Sequence, residues 1–294
     1  MNATIESGDY KYTIYINDAI YYSDETLTDF INNINKYKDK IFTICFEVHS
    51  LDGGSINIKV NNYYDQKLLC MSNNVCIDSI TACNCTSISD IINNNESTLN
   101  MLYTTITYIT KLCPWLKKIN LCDYRKSVCR KGEATPGMLL SCYYIALTGK
   151  TWYETYLNAE LENINHKNKY NNYIKLFNSG EYKCDWYDLN INLYQFGLQR
   201  SINFDIIETI YKSTISYSDF FNKLNKTIVD RDELCKTLEP WIEMFMKLFI
   251  FDTNLDLLNN TWIFNVSNIP KINYTIGSCD DIEGKYISNE YIVL

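Results

Sequence analysis

Residues 41–60 read IFTICFEVHSLDGGSINIKV, two runs rich in β-branched and aromatic residues on either side of Asp52-Gly53-Gly54. Runs of that kind joined by glycine make a hairpin, because glycine adopts the positive φ that a tight turn needs. The segments around it read as partners in the same layer. Residues 10–17, YKYTIYIN, are expected to form a strand, and another runs near Val75–Ile80. Between them lies SDETLTDFINNINKYK, a helix that Ser23 or Asp24 can cap, with Leu27, Phe30, Ile31 and Ile34 at helical spacing. A helix over Thr98 to Leu112, ended by Pro114, leads into KKINLCD as a short strand. The first part is therefore an α/β or α+β layer, a mixed sheet with flanking helices.

From Thr135 the periodicity turns mainly helical, with helices expected at 136–148, 152–163, 167–178, 203–213, 216–226 and 231–250. Pro240 is expected to interrupt the last near Leu238 or Glu239, since proline removes a backbone donor. TWIFNVS and INYTI read as two closing strands. The resulting fold class is α+β, with a mixed α/β part over 1–132 and a mainly helical part over 133–294 that can pack on the first as one unit.

Gly149-Lys150-Thr151 looks like the end of a phosphate-binding loop. Such a loop needs a glycine five residues earlier, where this chain has Tyr144, and a strand before it, where the chain has the apolar helical run MLLSCYYIAL. A structural reading fits instead. Thr135 caps a helix with Pro136 in its first position, and Gly149 ends it in the left-handed conformation. Thr151 and Glu154 then form a capping box, so the stretch is a helix–turn–helix corner. Glu154, Glu160 and Glu162 would repel DNA phosphates, which makes the corner a packing element.

Over SCYYIALTGKTWYETYLNAEL the chain resembles an uncharacterised protein family of large nucleocytoplasmic DNA viruses, whose members carry a GKTWYE-like segment followed by an Asn-Ala step. Here these are Gly149 to Glu154 and Asn158-Ala159. The resemblance covers about residues 110–225 and brings no activity with it. It implies a viral protein acting in the cytoplasm of an infected cell or carried in virions. The abundance of Asn, Ile, Lys and Tyr, residues with AT-rich codons, agrees with it.

Charge and composition narrow the remaining possibilities. A net charge of −8 argues against broad nucleic-acid binding. The basic cluster Lys117, Lys118, Arg125, Lys126, Arg130 and Lys131 reads as a solvated loop. No run reaches the roughly 18 apolar residues of a membrane span, and the opening MNATIESGDYKYTIYIND has neither the basic region nor the apolar core of a secretion signal. Most of the twelve cysteines are accordingly expected to be free thiols, buried as small hydrophobes.

Candidate chemistry is sparse. His49 ends a strand beside the hairpin turn and His166 sits in a polar segment, each read as an ordinary loop histidine, with a Cys–His pair at His49 as the alternative. Cys70, Cys76, Cys83 and Cys85 are spaced C-x5-C-x6-C-x-C, without the close pairs of zinc sites, and Cys122 with Cys129 is similarly weak. Asp280, Asp281 and Glu283 read as a solvated turn. No metal or cofactor is expected.

Two functions follow. The first is a non-enzymatic viral interaction or structural protein that uses its many aromatics to bind a protein partner or itself. The alternative is an enzyme. The order strand, helix, three strands, helix, strand, helix over residues 10–148 resembles the acetyltransferase fold of the GNAT superfamily. That resemblance implies acetyl-coenzyme A held on backbone N–H groups at a helix start. The usual signature there, Arg/Gln-x-x-Gly-x-Gly/Ala, meets INNNESTLNML in this chain, which contains no glycine.

Overall fold

The computed structural model describes residues 2–21, 27–37, 40, 42–51, 54–65, 70–81, 95–122, 126–127, 138–195, 204–249 and 261–277. The fold is α+β. Strands β1 (Asn2–Ser7), β2 (Tyr10–Tyr21), β3 (Phe42–Ser50), β4 (Ser55–Asp65) and β5 (Cys70–Thr81) pair in sequence, each antiparallel to the one before. Helix α1 (Leu27–Asn32) and a 3-10 turn over Ile34–Tyr37 lie between β2 and β3. The cap expected at Ser23 or Asp24 and the turn residues Asp52 and Gly53 lie outside the described residues. β1 went unread because its only turn signal is Gly8-Asp9; Gly8 has φ 60°, and Ser7 pairs with Tyr10 across it.

Alternation fixes both the register and the buried face. Phe42, Ile44, Phe46 and Val48 of β3 are buried with Ile56, Ile58 and Val60 of β4. Thr43, Cys45, Glu47 and His49 face the other way with Ser55, Asn57 and Lys59, and are half-buried. Helices cover the apolar face. Phe30 of α1 meets Phe42 edge-on at 5.6 Å, and Tyr12 donates to Asn100 of α2 (Asn95–Leu112) at 2.7 Å. The threonines of α2 return their hydroxyls to its own carbonyls, Thr105 to Met101 at 2.7 Å and Thr110 to Ile106 at 2.8 Å. A β-branched polar run can therefore remain helical.

After α2 the chain enters β6 (Lys118–Cys122). The nine-stranded sheet runs β11-β1-β2-β3-β4-β5-β6-β10-β9, so strands β9 (Glu160–Leu161), β10 (Thr261–Asn265) and β11 (Thr275–Gly277) join it from beyond residue 132. A separate pair, β7 (Lys126–Ser127) and β8 (Met138–Leu139), precedes α3 (Leu140–Thr148). The helix expected from 136 thus begins at Leu140, behind two residues that bond as a strand. Its proposed caps, Thr135 and Pro136, lie outside the described residues.

The remaining helices are α4 (Trp152–Leu157), α5 (Ile164–Asn178), α6 (Trp186–Gln195), α7 (Phe204–Lys212), α8 (Tyr217–Thr227) and α9 (Arg231–Phe249). Three expectations need correction. Helix α4 ends six residues before 163, because Asn158 adopts φ 49° and the Ala159 amide closes onto the Tyr153 carbonyl at 3.2 Å. Helix α6 was not read at all, although Asp185 caps it, accepting from the Asp188 amide at 2.9 Å. Helix α9 runs through Pro240 without a break. One lost backbone bond is outweighed there by the burial of Leu234, Leu238, Trp241, Ile242, Met244 and Phe245 around it.

Helices α5 to α9 are inserted between two paired strands. Leu161 of β9 is the register partner of Trp262 of β10, and the Glu162 amide donates to the Thr261 carbonyl at 2.9 Å. The inserted block therefore leaves the sheet and returns at one point. Its core is aromatic: the Phe220 and Phe245 rings lie 6.1 Å apart, and each lies within 5.0–6.5 Å of Phe221 and Trp241. Helix α3, buried at every position from 141 to 147, packs on α8 and α9. A helix apolar all round belongs in an interior.

Candidate functional site

The GKTWYE corner is a structural joint. Gly149 has φ 74°, and a Cβ there would lie 2.5 Å from the Asn178 amide oxygen at the end of α5. The Thr151 hydroxyl accepts from the Glu154 amide at 3.2 Å, while the Glu154 carboxylate accepts from the Thr151 amide at 2.7 Å. The same carboxylate oxygen accepts from the buried Tyr170 hydroxyl of α5, and the Tyr170 ring meets Trp262 of β10 at 5.4 Å. Burial first, then the neighbouring Glu154 carboxylate, hold the Tyr170 phenol well above its ordinary value. The capping box read from the sequence is present, and it also binds the helical block to the sheet. Tyr170 went unread because its partner lies sixteen residues away.

A different kind of site lies in the middle of the sheet. All neighbouring strands are antiparallel except β5 and β6, which are parallel and joined through α2. They pair over only two positions, Cys76 with Asn120 and Ile77 with Leu121. Beyond these, β5 continues to Thr81 on β4, while Cys122 of β6 pairs with Thr261 of β10. One extra residue enters β5 here: Ile58 pairs with Ile77 but Asn57 with Ser79, which leaves Asp78 in a bulge. A bulge bends its strand and leaves a backbone group outside the ladder. Among the described residues β6 reaches one position past this pairing, to Cys122, where β10 holds its other edge.

The half-buried face of the sheet carries His49. Its Nε2 lies 2.9 Å from Glu47 Oε1, and its ring meets Tyr15 edge-on at 5.5 Å. The nearest cysteine on its strand, Cys45, is four residues away, about 13 Å along an extended chain. A Cys–His pair between them is excluded, and the partner of His49 is a carboxylate. His166 lies in the first turn of α5, its amide bound to the Asn163 side chain at 3.2 Å. Cys70 and Cys76 lie on β5, while Cys83, Cys85, Cys129, Asp280, Asp281 and Glu283 lie outside the described residues. Lys117 and Lys118 are exposed, as is Glu162, whereas Glu160 pairs with Lys167. Among the described residues no group of three or more His, Cys, Asp or Glu is placed to hold a metal ion.

The densest cluster of titratable groups lies in the helical block. Lys183 donates to the carbonyls of Tyr211 and Thr214 at the end of α7, and its amine sits 4.0 Å from the Tyr211 ring centre. Tyr211 donates to the Cys184 carbonyl at 2.8 Å, and the Cys184 amide donates to the Tyr217 hydroxyl at 3.1 Å. Loss of water around Lys183 lowers its amine, against the pull of Asp219 and Cys184. Burial raises both phenols far above their usual value. These groups saturate one another, so the cluster is a clasp on the helix end. In the sheet part, burial pushes the Cys113 thiol up to about 12, which makes it inert.

No helix among the described residues is long and apolar enough to cross a membrane. Comparison with protein-family models, with curated proteins and with solved structures finds no match to this chain.

Proposed function

We propose that this chain is an acyltransferase of GNAT-like architecture, moving an acyl group from an acyl-coenzyme A thioester to an amine acceptor. The single observation behind this reading is the short parallel β5–β6 pairing beside the bulge at Asp78, in a sheet whose other strands pair antiparallel. The bulge leaves Asp78 without a register partner on β4, and a slot beside it would present a backbone N–H. A thioester carbonyl laid in such a slot can accept a backbone N–H, which stabilises the oxyanion formed when an amine attacks. The strand order supports the same reading. It carries the sequence of elements that suggested the superfamily through to β6 and α3, and adds a β9–β10 antiparallel pair in which β10 lies next to β6.

One feature favours the non-enzymatic reading. The segment before α2 contains no glycine, and exposed Glu96 stands in the first turn of α2, where an acid opposes a phosphate. In that case the fold serves as a viral interaction module, and exposed Tyr187 and Tyr194, seven residues apart on α6, are available for a contact. A thermal-shift and calorimetric titration with acetyl-coenzyme A and free coenzyme A separates the two. At about a hundred times its dissociation constant the thioester should add roughly 2.7 kcal/mol of stability. No shift and no heat with either compound would overturn the acyltransferase reading and leave self-association, measured by sedimentation, as the next observable.

A further inference from the structure

We propose that copies of this chain associate head to tail, a strip of lysines on the sheet part of one copy seating on an acidic tyrosine face at the end of the helical block of the next. The inference does not depend on acyl transfer, and its failure leaves that reading untouched.

The lysine strip is assembled from separate segments. Lys118 opens β6 as the register partner of Asn265, and the Lys117 carbonyl accepts from the Val266 amide at 2.9 Å. The chain after β10 then crosses the last turns of α2. There the Ile272 amide donates to the Thr107 hydroxyl at 3.5 Å, and the Lys111 amine stands 5.5 Å from the Tyr274 ring centre. Lys111, Lys117, Lys118 and Lys271 are exposed, as are Pro114 and Pro270. Residues 97–122 and 257–279 contain no Asp or Glu. The carboxylate that register places beside the second segment, Glu6 opposite Thr275, is bound to Lys11 at 3.4 Å. Among the described residues none of the four lysines forms an ion pair. Lys111 complements the carbonyl end of α2, a role that the other three do not share.

The second surface lies where two loops of the helical block meet. A Cβ at Gly180 would lie 2.9 Å from the Ile215 carbonyl oxygen, and the Tyr217 hydroxyl donates to the Tyr182 carbonyl at 3.1 Å. Tyr182, Tyr187 and Ile215 are 53%, 79% and 76% exposed. Exposed Glu181, Asp185 and Asp188 belong to the same segment, and Asp219 accepts from the Ile215 amide at 3.2 Å. Lys183 spends its charge inward on the carbonyls of Tyr211 and Thr214, and Lys212 is paired with Glu208. Lys223, donating to Ser213 at 2.9 Å, is the outward cation beside these acids.

Each surface supplies what the other lacks. Lysine amines gain cation–π attraction over tyrosine rings, while lysine stems and the two prolines offer apolar cover to Tyr187 and Ile215. Within one molecule no ion pair joins the two surfaces among the described residues. Because the surfaces differ, the contact is heterologous, and its product is a ring or an open chain. A nucleic-acid strand fits the strip less well, since four lysines on a chain of net charge −8 neutralise few phosphates.

The test is sedimentation velocity of the full chain. Copies of net charge −8 repel at long range, so association should be strongest near about 0.1 M salt and fall towards about 1 M. The wild type should sediment faster as its concentration rises. Lys117→Glu combined with Lys271→Glu should be monomeric, and so should Glu181→Lys combined with Asp188→Lys. An equimolar mixture of these two variants should associate again. Tyr187→Ser should weaken association about 10-fold or more. Independently of any variant, carbodiimide treatment of mixed unlabelled and isotope-labelled wild type should join Lys117, Lys118 or Lys271 of one copy to Glu181, Asp185 or Asp188 of another. If circular dichroism shows a variant unfolded, these cross-links decide. A wild type that stays monomeric at every concentration and salt, a folded mixture that fails to associate, or cross-links confined to other residues would overturn the proposal. A monomeric wild type that needs Lys117 and Lys271 to bind a single-stranded oligonucleotide would overturn it in favour of a polyanion.

Discussion

The sheet part and the helical block answer the same problem, how to bury a stripe of apolar side chains, in opposite ways. The strands bury one face and leave the other open, so Thr43, Asn57 and His49 stay within reach of water. The helical block closes around rings whose polar atoms bond one another, as in the clasp of Lys183, Cys184, Tyr211 and Tyr217. A saturated interior gives stability, whereas a half-covered face leaves room for chemistry.

Alkali should break this contrast most completely. The phenols of Tyr170, Tyr211 and Tyr217 are raised in the folded state, so the unfolded chain releases these protons first. Their contribution to stability is intact below about pH 10, the ordinary phenol value, and is lost as pH rises above it. Phenolate absorbance at these rings should appear only together with loss of the near-ultraviolet dichroism. Early ionisation with the fold intact would show that the block is more open than described.

Phe220→Ala comes next, with a cost of about 3–5 kcal/mol in denaturant unfolding. Glu154→Ala should cost about 2–4 kcal/mol, since it removes a cap and leaves the buried Tyr170 hydroxyl without that acceptor. Adding Tyr170→Phe to it should recover part of the loss. Strict additivity of the two changes would show that the joint does not act as a unit.

The two left-handed glycines sharpen the comparison. Gly8→Ala in the sheet meets open space and should cost about 1 kcal/mol for its φ alone. Gly149→Ala has a similar φ but also meets Asn178, so it should cost more until Asn178→Ala relieves it. The smallest effect belongs to the open face. Thr43→Ala, which loses a 2.9 Å bond to Asn61, should change stability by about 0.5–1 kcal/mol.

What the sequence disclosed follows the range of the interactions concerned. The 41–60 hairpin, the α2 helix and the Thr151–Glu154 box are set by residues within a few positions of each other, and each was legible. The continuity of α9 through Pro240 was not, because it is decided by Phe220 and other rings from distant helices. The parallel pairing of β5 with β6 was also hidden. Alternation predicts that a strand exists but not which strand lies beside it, and parallel pairing is fixed by the crossover through α2. For His49 the sequence showed a strand end; Glu47, two residues before it on the same face, was the overlooked signal.

The insertion of helices α5 to α9 between β9 and β10 also bears on the order of assembly. Strands β1 to β5 can pair in succession while the chain emerges and β6 can follow through α2, but the far edge of β6 must wait for β10. If the intervening helices were still unfolded, that pairing would close a very long loop, a slow step in chains of high contact order. A folded insert whose two ends are already hydrogen-bonded, Glu162 to Thr261, converts the distant encounter into a local one. The helical block would then act as an internal template that completes the sheet, and the rate at which β10 docks would report how quickly the block itself folds.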